Sequence, residues 1–294
     1  MPLYDFDSFF IIGNDIRQSF LADILLQHGH TVYIYDGFEP LLKPPSITSY
    51  YPNSTNSSRK TPIPASLKQG CATCKYLVLP TVISPDIYNQ LDIARYINNQ
   101  HFIIAGSLPT QWKNFCLAEK IQLFEYGKQK TFLKQNGILT SEGLLSILIS
   151  TLPFTLFHCS VLLLGYGNCG KEIASMLQAF HCNITVVENN HTCFHEAIEN
   201  GLTCIPSFHD FLDFSSTPII INTIPQHLFS FSQIQQLTNY NWIFDIASYP
   251  YGFSKEQLHG NGIYYFLESS IPSRFSPMSC SQLIHSIIET HILK

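Results

Sequence analysis

Charge is scarce in this chain: Asp, Glu, Lys and Arg make up 13% of its 294 residues, and 16 basic side chains face 21 acidic ones. A formal net charge of −5 leaves no basic face to neutralise phosphates, which argues against nucleic acids and anionic membranes as partners. Solubility must rest on Asn, Gln, Ser and Thr, because hydrophobic residues amount to 45%. Long apolar runs are missing too. No uninterrupted stretch reaches the ~20 residues of a bilayer-spanning helix, and MPLYDFDSFFIIGND carries Asp5 and Asp7 where a signal peptide would carry positive charge. A cytosolic protein is expected. A disulfide framework has no support either: the nine cysteines, an odd number, lie mostly beside apolar residues, as reduced and partly buried thiols do. Cys71 and Cys74 form a CxxC, but no second CxxC or CxxH follows at zinc-finger spacing. His191, Cys193 and His195 read as an ordinary loop and helix start, so no metal is expected.

What the chain does have is a glycine motif in the right setting. Val161 to Gly170 reads VLLLGYGNCG, an apolar strand running into GxGxxG; an amphipathic segment and a second apolar run, NITVVE, follow. Gly165 suits the tight turn after the strand, Gly167 lets backbone approach a pyrophosphate, and Gly170 lets the helix pack closely on the sheet. The helix N-terminus supplies free amides and partial positive charge for phosphate. Asn168 and Cys169 lie inside the motif, Cys169 as a small side chain tolerated beside a cofactor. Glu188 ends the second strand, where an acid accepts hydrogen bonds from the adenosine ribose.

Strands and helices alternate along the rest of the chain, implying parallel sheets covered on both faces. The expected class is α/β: two doubly wound parallel-sheet domains, the C-terminal one of Rossmann type, joined by an interdomain helix. The first, 1–138, opens with a strand from Phe9 to Ile12, GNDIRQ, a helix closed by Gly29, and the strand TVYIYD. A Pro-, Ser- and Asn-rich loop is expected from Leu42 to Gln69, then strands at 75–80 and 101–106, a helix over 84–98, a short strand IQLFEY and a polar joint from Gly127 to Asn136. The second domain, 139–294, begins with an apolar helix capped at Thr140. Further helices are expected near 193–200, 209–214 and 231–237, with a closing helix at 279–293 that ends this domain or crosses back to the first.

The order LPT, LFEYG, TSEG, GYGNCG, INTIP and DIASYPYG, opened by IIGNDIRQ, resembles the family of the A-type subunit of dipicolinate synthase over essentially the whole chain. The resemblance implies an N-terminal substrate domain, a nicotinamide-dinucleotide domain and a separate flavoprotein-like partner, the B-type subunit, in the mother cell of a sporulating bacterium. The implied reaction is an oxidation that aromatises a small dicarboxylate from the dihydrodipicolinate branch. One departure stands out. Where the family has glycine-rich GLPG and APxTAG segments, this chain reads ESSIPSRFSPMSCSQL from Glu268.

Candidate site residues follow from matched positions. Arg17 offers a planar fork for a substrate carboxylate, with a surface helix-start arginine as the bland alternative; Gln18, Thr140 and Ser248 join it as substrate contacts. Glu142 is the candidate for polarising a substrate proton, or else it complements a helix N-terminus. Asn222, Thr223, Ile224, Pro225 and Asp245 follow strands of the nucleotide domain and should border the nicotinamide ribose, unless Asp245 braces the adjacent turn. The cofactor is NAD or NADP. Glu188, with Asn168 where relatives often carry Arg, favours NAD. Two alternatives stay open: a non-catalytic nucleotide-sensing or assembly subunit, and an NAD-dependent 2-hydroxy acid dehydrogenase. A homo-oligomer is compatible with each.

Overall fold

The computed structural model describes residues 5–13, 15–35, 37, 61–81, 92–207, 214, 216–227, 237, 241–253 and 263–293. The chain forms two compact units, Met1–Leu133 with Pro277–Lys294, and Lys134–Ser276. Each contains one six-stranded sheet, and every strand pair in it is parallel.

In the first unit the strands are β1 (Asp5–Ile11), β2 (Thr31–Tyr35), β3 (Ile63–Ala65), β4 (Cys74–Val78), β5 (Phe102–Ala105) and β6 (Gln122–Glu125), in the order β3-β2-β1-β4-β5-β6. Helices α1 (Ile16–Gln27), α2 (Leu67–Thr73) and α3 (Thr110–Ala118) belong to the same unit. Alternate residues of the strands serve opposite faces. Phe10, Ile12, Leu77, Leu79, Ile103 and Ala105 build one core with Trp112 of α3, while Phe9 stacks on Tyr76 at 4.9 Å.

The second unit repeats that order with β7 (Ser160–Leu164), β8 (Asn183–Val187), β9 (Thr203–Ile205), β10 (Ile219–Asn222), β11 (Trp242–Asp245) and β12 (Tyr264–Leu267), arranged β12-β11-β10-β7-β8-β9. Both sheets therefore have the strand order of a dinucleotide-binding fold, which reverses direction beside the first strand. Val161 and Leu163 face one core with Ile173, Ala174, Ile219 and Ile221; Leu162 and Leu164 face the other with Ile220 and Ile243. Strands buried on both faces explain why VLLL and III are continuous apolar runs. Helices α4 (Lys130–Thr151), α5 (Asn168–Ala179) and α6 (His191–Glu199) precede and follow the first strands, and the short α7 (Ile271–Phe275) leads into α8 (Pro277–His291).

Three expectations change, and one left open is decided. The loop anticipated from Leu42 to Gln69 contains β3 and the start of α2, where Ser66 and Gln69 form a capping box that polar composition disguised. The polar joint is mostly helix: α4 starts at Lys130, about three turns before Thr140. Thr140 is therefore no cap, and its hydroxyl donates to the Asn136 carbonyl at 2.7 Å. The closing helix α8 groups with the first unit rather than ending the second. Its buried face carries Cys280, Ile284, His285, Ile287 and Ile288, and Ser281 Oγ donates to the Arg17 carbonyl at 2.7 Å. The helices expected at 209–214 and 231–237 fall outside the described residues except at their ends, as does most of the one at 84–98, whose described end is a 3-10 turn at Ile93–Arg95.

Candidate functional site

The carboxyl edge of the second sheet, where β7 and β10 part, is the one that the glycine motif occupies. Gly165 has a φ of +94°, and a Cβ there would stand 2.5 Å from Thr223 Oγ1 and 2.8 Å from Ile224 Cγ1. A Cβ on Gly170 would meet the Gly165 carbonyl oxygen at 2.2 Å, so the first turn of α5 packs directly on the strand exit. Gly167 differs: nothing lies within 4 Å of a Cβ placed on it, and both Gly167 and Asn168 are exposed. No side chain caps α5 at Gly167. Open space in front of a helix N-terminus whose first amides lack a side-chain acceptor is the chemistry that an anion needs.

Tyr166 fixes the loop from behind. Its ring is buried, its hydroxyl accepts from Asn200 Nδ2 at 3.0 Å, and its amide donates to Glu188 Oε2 at 2.8 Å. Glu188 Oε1 accepts from the Asn190 amide, also at 2.8 Å. Glu188 therefore already joins the glycine loop to the turn entering α6, a bracing contact that motif spacing does not reveal. Each carboxylate oxygen keeps further lone pairs for a ribose hydroxyl.

Other expected cofactor contacts turn inward. Asp245 is fully buried: Oδ1 accepts from Asn222 Nδ2 at 2.8 Å and the Ala247 amide at 3.3 Å, and Oδ2 from the Gly252 amide at 2.8 Å and Tyr265 Oη at 3.0 Å. Burial and the adjoining Asp245 carboxylate push the Tyr265 hydroxyl well above its ordinary pKa, keeping it a donor. Asn222, also fully buried, donates to the Ile224 carbonyl and accepts from the Ile224 amide. These side chains shape the strand ends and brace the SYPYG turn, which is the second of the two readings of Asp245. Thr223 Oγ1 donates to the Leu164 carbonyl at 2.8 Å and ties β10 to the strand carrying the glycines. Pro225 and Ser248 are exposed beyond β10 and β11. Cys169 sits beside Thr140, and burial holds its thiol protonated despite that hydroxyl.

Glu142 is exposed on α4, with no bonded partner among the described residues. It lies inside a long helix, so the reading in which it complements a helix N-terminus falls. The neighbouring TSEG glycine has a packing reason: a Cβ on Gly143 would stand 2.3 Å from Ile271 Cγ2 of α7. The altered segment from Glu268 holds Ser270 at a φ of +55°, a left-handed conformation that glycine adopts at less cost.

At the carboxyl edge of the first sheet the described polar side chains bond to the chain itself. Arg17 is 6% exposed, and its Nε lies 2.9 and 3.0 Å from the Asp15 carboxylate oxygens while Nη2 completes the pair. Asp15 also caps α1 by accepting from the Arg17 amide. Nη1 is 4.0 Å from Cys280 Sγ. The guanidinium assigned from sequence to a substrate carboxylate is thus already held by a carboxylate of its own chain. Burial works against that charge, but the bond and charge of Asp15 outweigh it and raise the Arg17 pKa. Gln18 is also buried; its amide donates to the Ile12 and Leu79 carbonyls at 3.3 and 3.1 Å, bridging the exits of β1 and β4. Its Oε1 stands 1.8 Å from where a Gly13 Cβ would be. Thr81 and Tyr126, from LPT and LFEYG, meet at 3.1 Å, and burial pushes the Tyr126 phenol well up. Among the described residues no three His, Cys, Asp or Glu side chains are arranged to hold a metal ion.

No protein-family model matches the chain. The A-type subunit of dipicolinate synthase from Bacillus subtilis is 25% identical over 188 residues, 63% of this chain and 63% of that protein. The matched part thus spans less than two thirds of the curated relative's length. The crystal structure of the same subunit from Bacillus halodurans superposes with a TM-score of 0.78 at 15% identity, covering 99% of this chain and 100% of that one. The corresponding chain in the crystal structure of the Bacillus subtilis dipicolinate synthase gives 0.77 at 20% identity, covering 99% and 97%. A transhydrogenase from Sinorhizobium meliloti shares the fold at 0.60 and 11% identity, covering 97% of this chain and 93% of that one. The resemblance read from the motifs is borne out: in sequence and in fold, this chain is a relative of the A-type subunit of dipicolinate synthase.

Proposed function

We propose that this chain is the nucleotide-binding subunit of a dipicolinate synthase, oxidising a dihydrodipicolinate-type dicarboxylate to the aromatic pyridine dicarboxylate together with a flavoprotein-like B-type subunit. The observation that carries the reading is the open loop at Gly167 in front of the uncapped N-terminus of α5. A nicotinamide dinucleotide bound there supplies a hydride acceptor. The chain's residues do the rest. Amides of Asn168, Cys169 and Gly170 hold the pyrophosphate, and Gly167 leaves room for it. Glu188 accepts from the adenosine ribose while keeping the Tyr166 amide in place, and that carboxylate disfavours a 2′-phosphate, which makes NAD the preferred cofactor over NADP. Asn222 and Asp245 hold the strand exits rigid. Exposed Glu142 and Ser248 are the residues proposed to meet substrate, in place of the buried and internally bonded Arg17 and Gln18. The proposed setting is the mother cell of a spore-forming bacterium.

Purified chain, a B-type partner and enzymatically generated dihydrodipicolinate, with ultraviolet detection of dipicolinate, test the reading. Product from the pair and none from the isolated chain supports it. Nucleotide binding without product from the pair points to the sensing or assembly role, which the altered segment at Glu268 favours as second reading. Turnover of 2-hydroxy acids instead would overturn it.

A further inference from the structure

The tripeptide Phe-His-Cys occurs twice, at 157–159 and 180–182. Each copy enters one of two neighbouring parallel strands, β7 and β8, at the amino edge of the second sheet, one strand length from the glycine loop. Both histidines take a left-handed turn, with φ of +63° at His158 and +54° at His181, and their rings stand 5.7 Å apart. The backbone keeps the copies in register: Ser160 pairs with Asn183, the His158 amide donates to the Phe180 carbonyl at 3.1 Å, and the Asn183 amide to the Cys159 carbonyl at 2.9 Å. Cys159 and Cys182 are therefore cross-strand neighbours. Adjacent strands run about 4.8 Å apart, within the Cα separation that a disulfide spans. Side chains in register leave the sheet on the same side, and the thiols donate to successive carbonyls of one turn, Cys159 to Thr155 at 2.8 Å and Cys182 to Leu156 at 3.2 Å. Both cysteines are partly exposed, whereas Cys71 and Cys74, the CxxC pair, are 1% and 0% exposed.

We propose that Cys159 and Cys182 are a redox pair, which a low-molecular-weight disulfide converts to an intramolecular disulfide at the amino edge of the second sheet. One protein thiolate attacks a sulfur of the small disulfide, forming a mixed disulfide and expelling one small thiolate. The second protein thiolate attacks the mixed bond and expels the other. Two protein thiols are oxidised to one disulfide, the reagent is reduced to two thiols, and the two protein protons end on the leaving thiolates. Because the pair lies at the opposite edge from Gly167, nucleotide affinity should stay within twofold.

The test uses the folded full chain and oxidised glutathione at about pH 8.5, near the ordinary thiol pKa. Mild alkali is needed because burial pushes both thiols up, Cys182 to about 11 with the nearby Cys159 adding to it. After alkylation of the remaining thiols, peptide mapping should find the Cys159 and Cys182 peptides joined and lighter than their sum by two hydrogens. Cys159→Ser and Cys182→Ser, each folded by circular dichroism, should lose the linked species. Separate alkylation or separate glutathionylation of both cysteines in the unmodified protein, or Cys71 linked to Cys74 instead, would overturn the proposal.

Discussion

The two sheets share one strand order and differ at the same place, the crevice where the order reverses. In the second sheet the crevice is left open at Gly167, which faces space, and Tyr166, Glu188 and Thr223 hold the loop from behind. In the first sheet the polar groups described at the equivalent place are taken up by the chain itself. Gln18 bridges the two strand exits, and Arg17 and Asp15 satisfy each other beside it. Topology alone therefore does not make a nucleotide site; side chains decide whether the amides and the space at the strand exits remain available. A buried ion pair like Arg17–Asp15 adds little net stability, but it is costly to break.

Breaking the ion pair of the first sheet should give the largest effect. Arg17→Ala leaves the Asp15 carboxylate without its partner and should cost about 3 kcal/mol, the low end for a buried pair because Asp15 is partly exposed. Urea unfolding would read the loss, and nucleotide affinity should not follow it. Next comes the open crevice. Gly167→Val should weaken nucleotide binding about 100-fold, or ~2.7 kcal/mol, by filling the space for the pyrophosphate while the fold survives; titration calorimetry on the folded variant measures it. At the first strand exit of the first sheet, Gly13→Ala drives a methyl into Gln18 and should cost about 2 kcal/mol of stability, with nucleotide affinity unchanged. The smallest expected effect belongs to Glu188→Ala, which should reduce the ratio of NAD to NADP affinity about tenfold, or ~1.4 kcal/mol. Because it also frees the Tyr166 amide, absolute affinity for both nucleotides should fall. An unchanged ratio would show that Glu188 only braces the loop.

The fold was largely legible, because strands buried on both faces write themselves as apolar runs and the glycine motif has a spacing fixed by geometry. Gly165 and Gly170 each meet a distinct steric constraint, as that spacing implies, whereas Gly167 faces open space. Partner choice was not legible. Arg17 reads along the chain as a charge placed after a strand, but Asp15, two residues away, claims it, and only coordinates show a guanidinium already paired. Asn222, and the ribose reading of Asp245, misled for the same reason: a polar residue at a strand end looks like a ligand contact until its buried bonds are seen. The start of α4 was missed because Lys130 to Asn136 is mostly polar: Phe132 is buried there while Lys130, Thr131, Lys134 and Gln135 are exposed, too short an apolar pattern to show a helical period. The return of α8 to the first unit depends on contacts far apart in the chain, with Ser281 on Arg17, and no local pattern carries them.

The central claim is that only the second sheet's crevice binds a dinucleotide, and the number of NAD(H) sites per chain measures it most directly. Titration calorimetry should give one site for the unmodified protein, one for Gly13→Ala and none for Gly167→Val. Two sites in the unmodified chain, or one site surviving in folded Gly167→Val, would contradict the account.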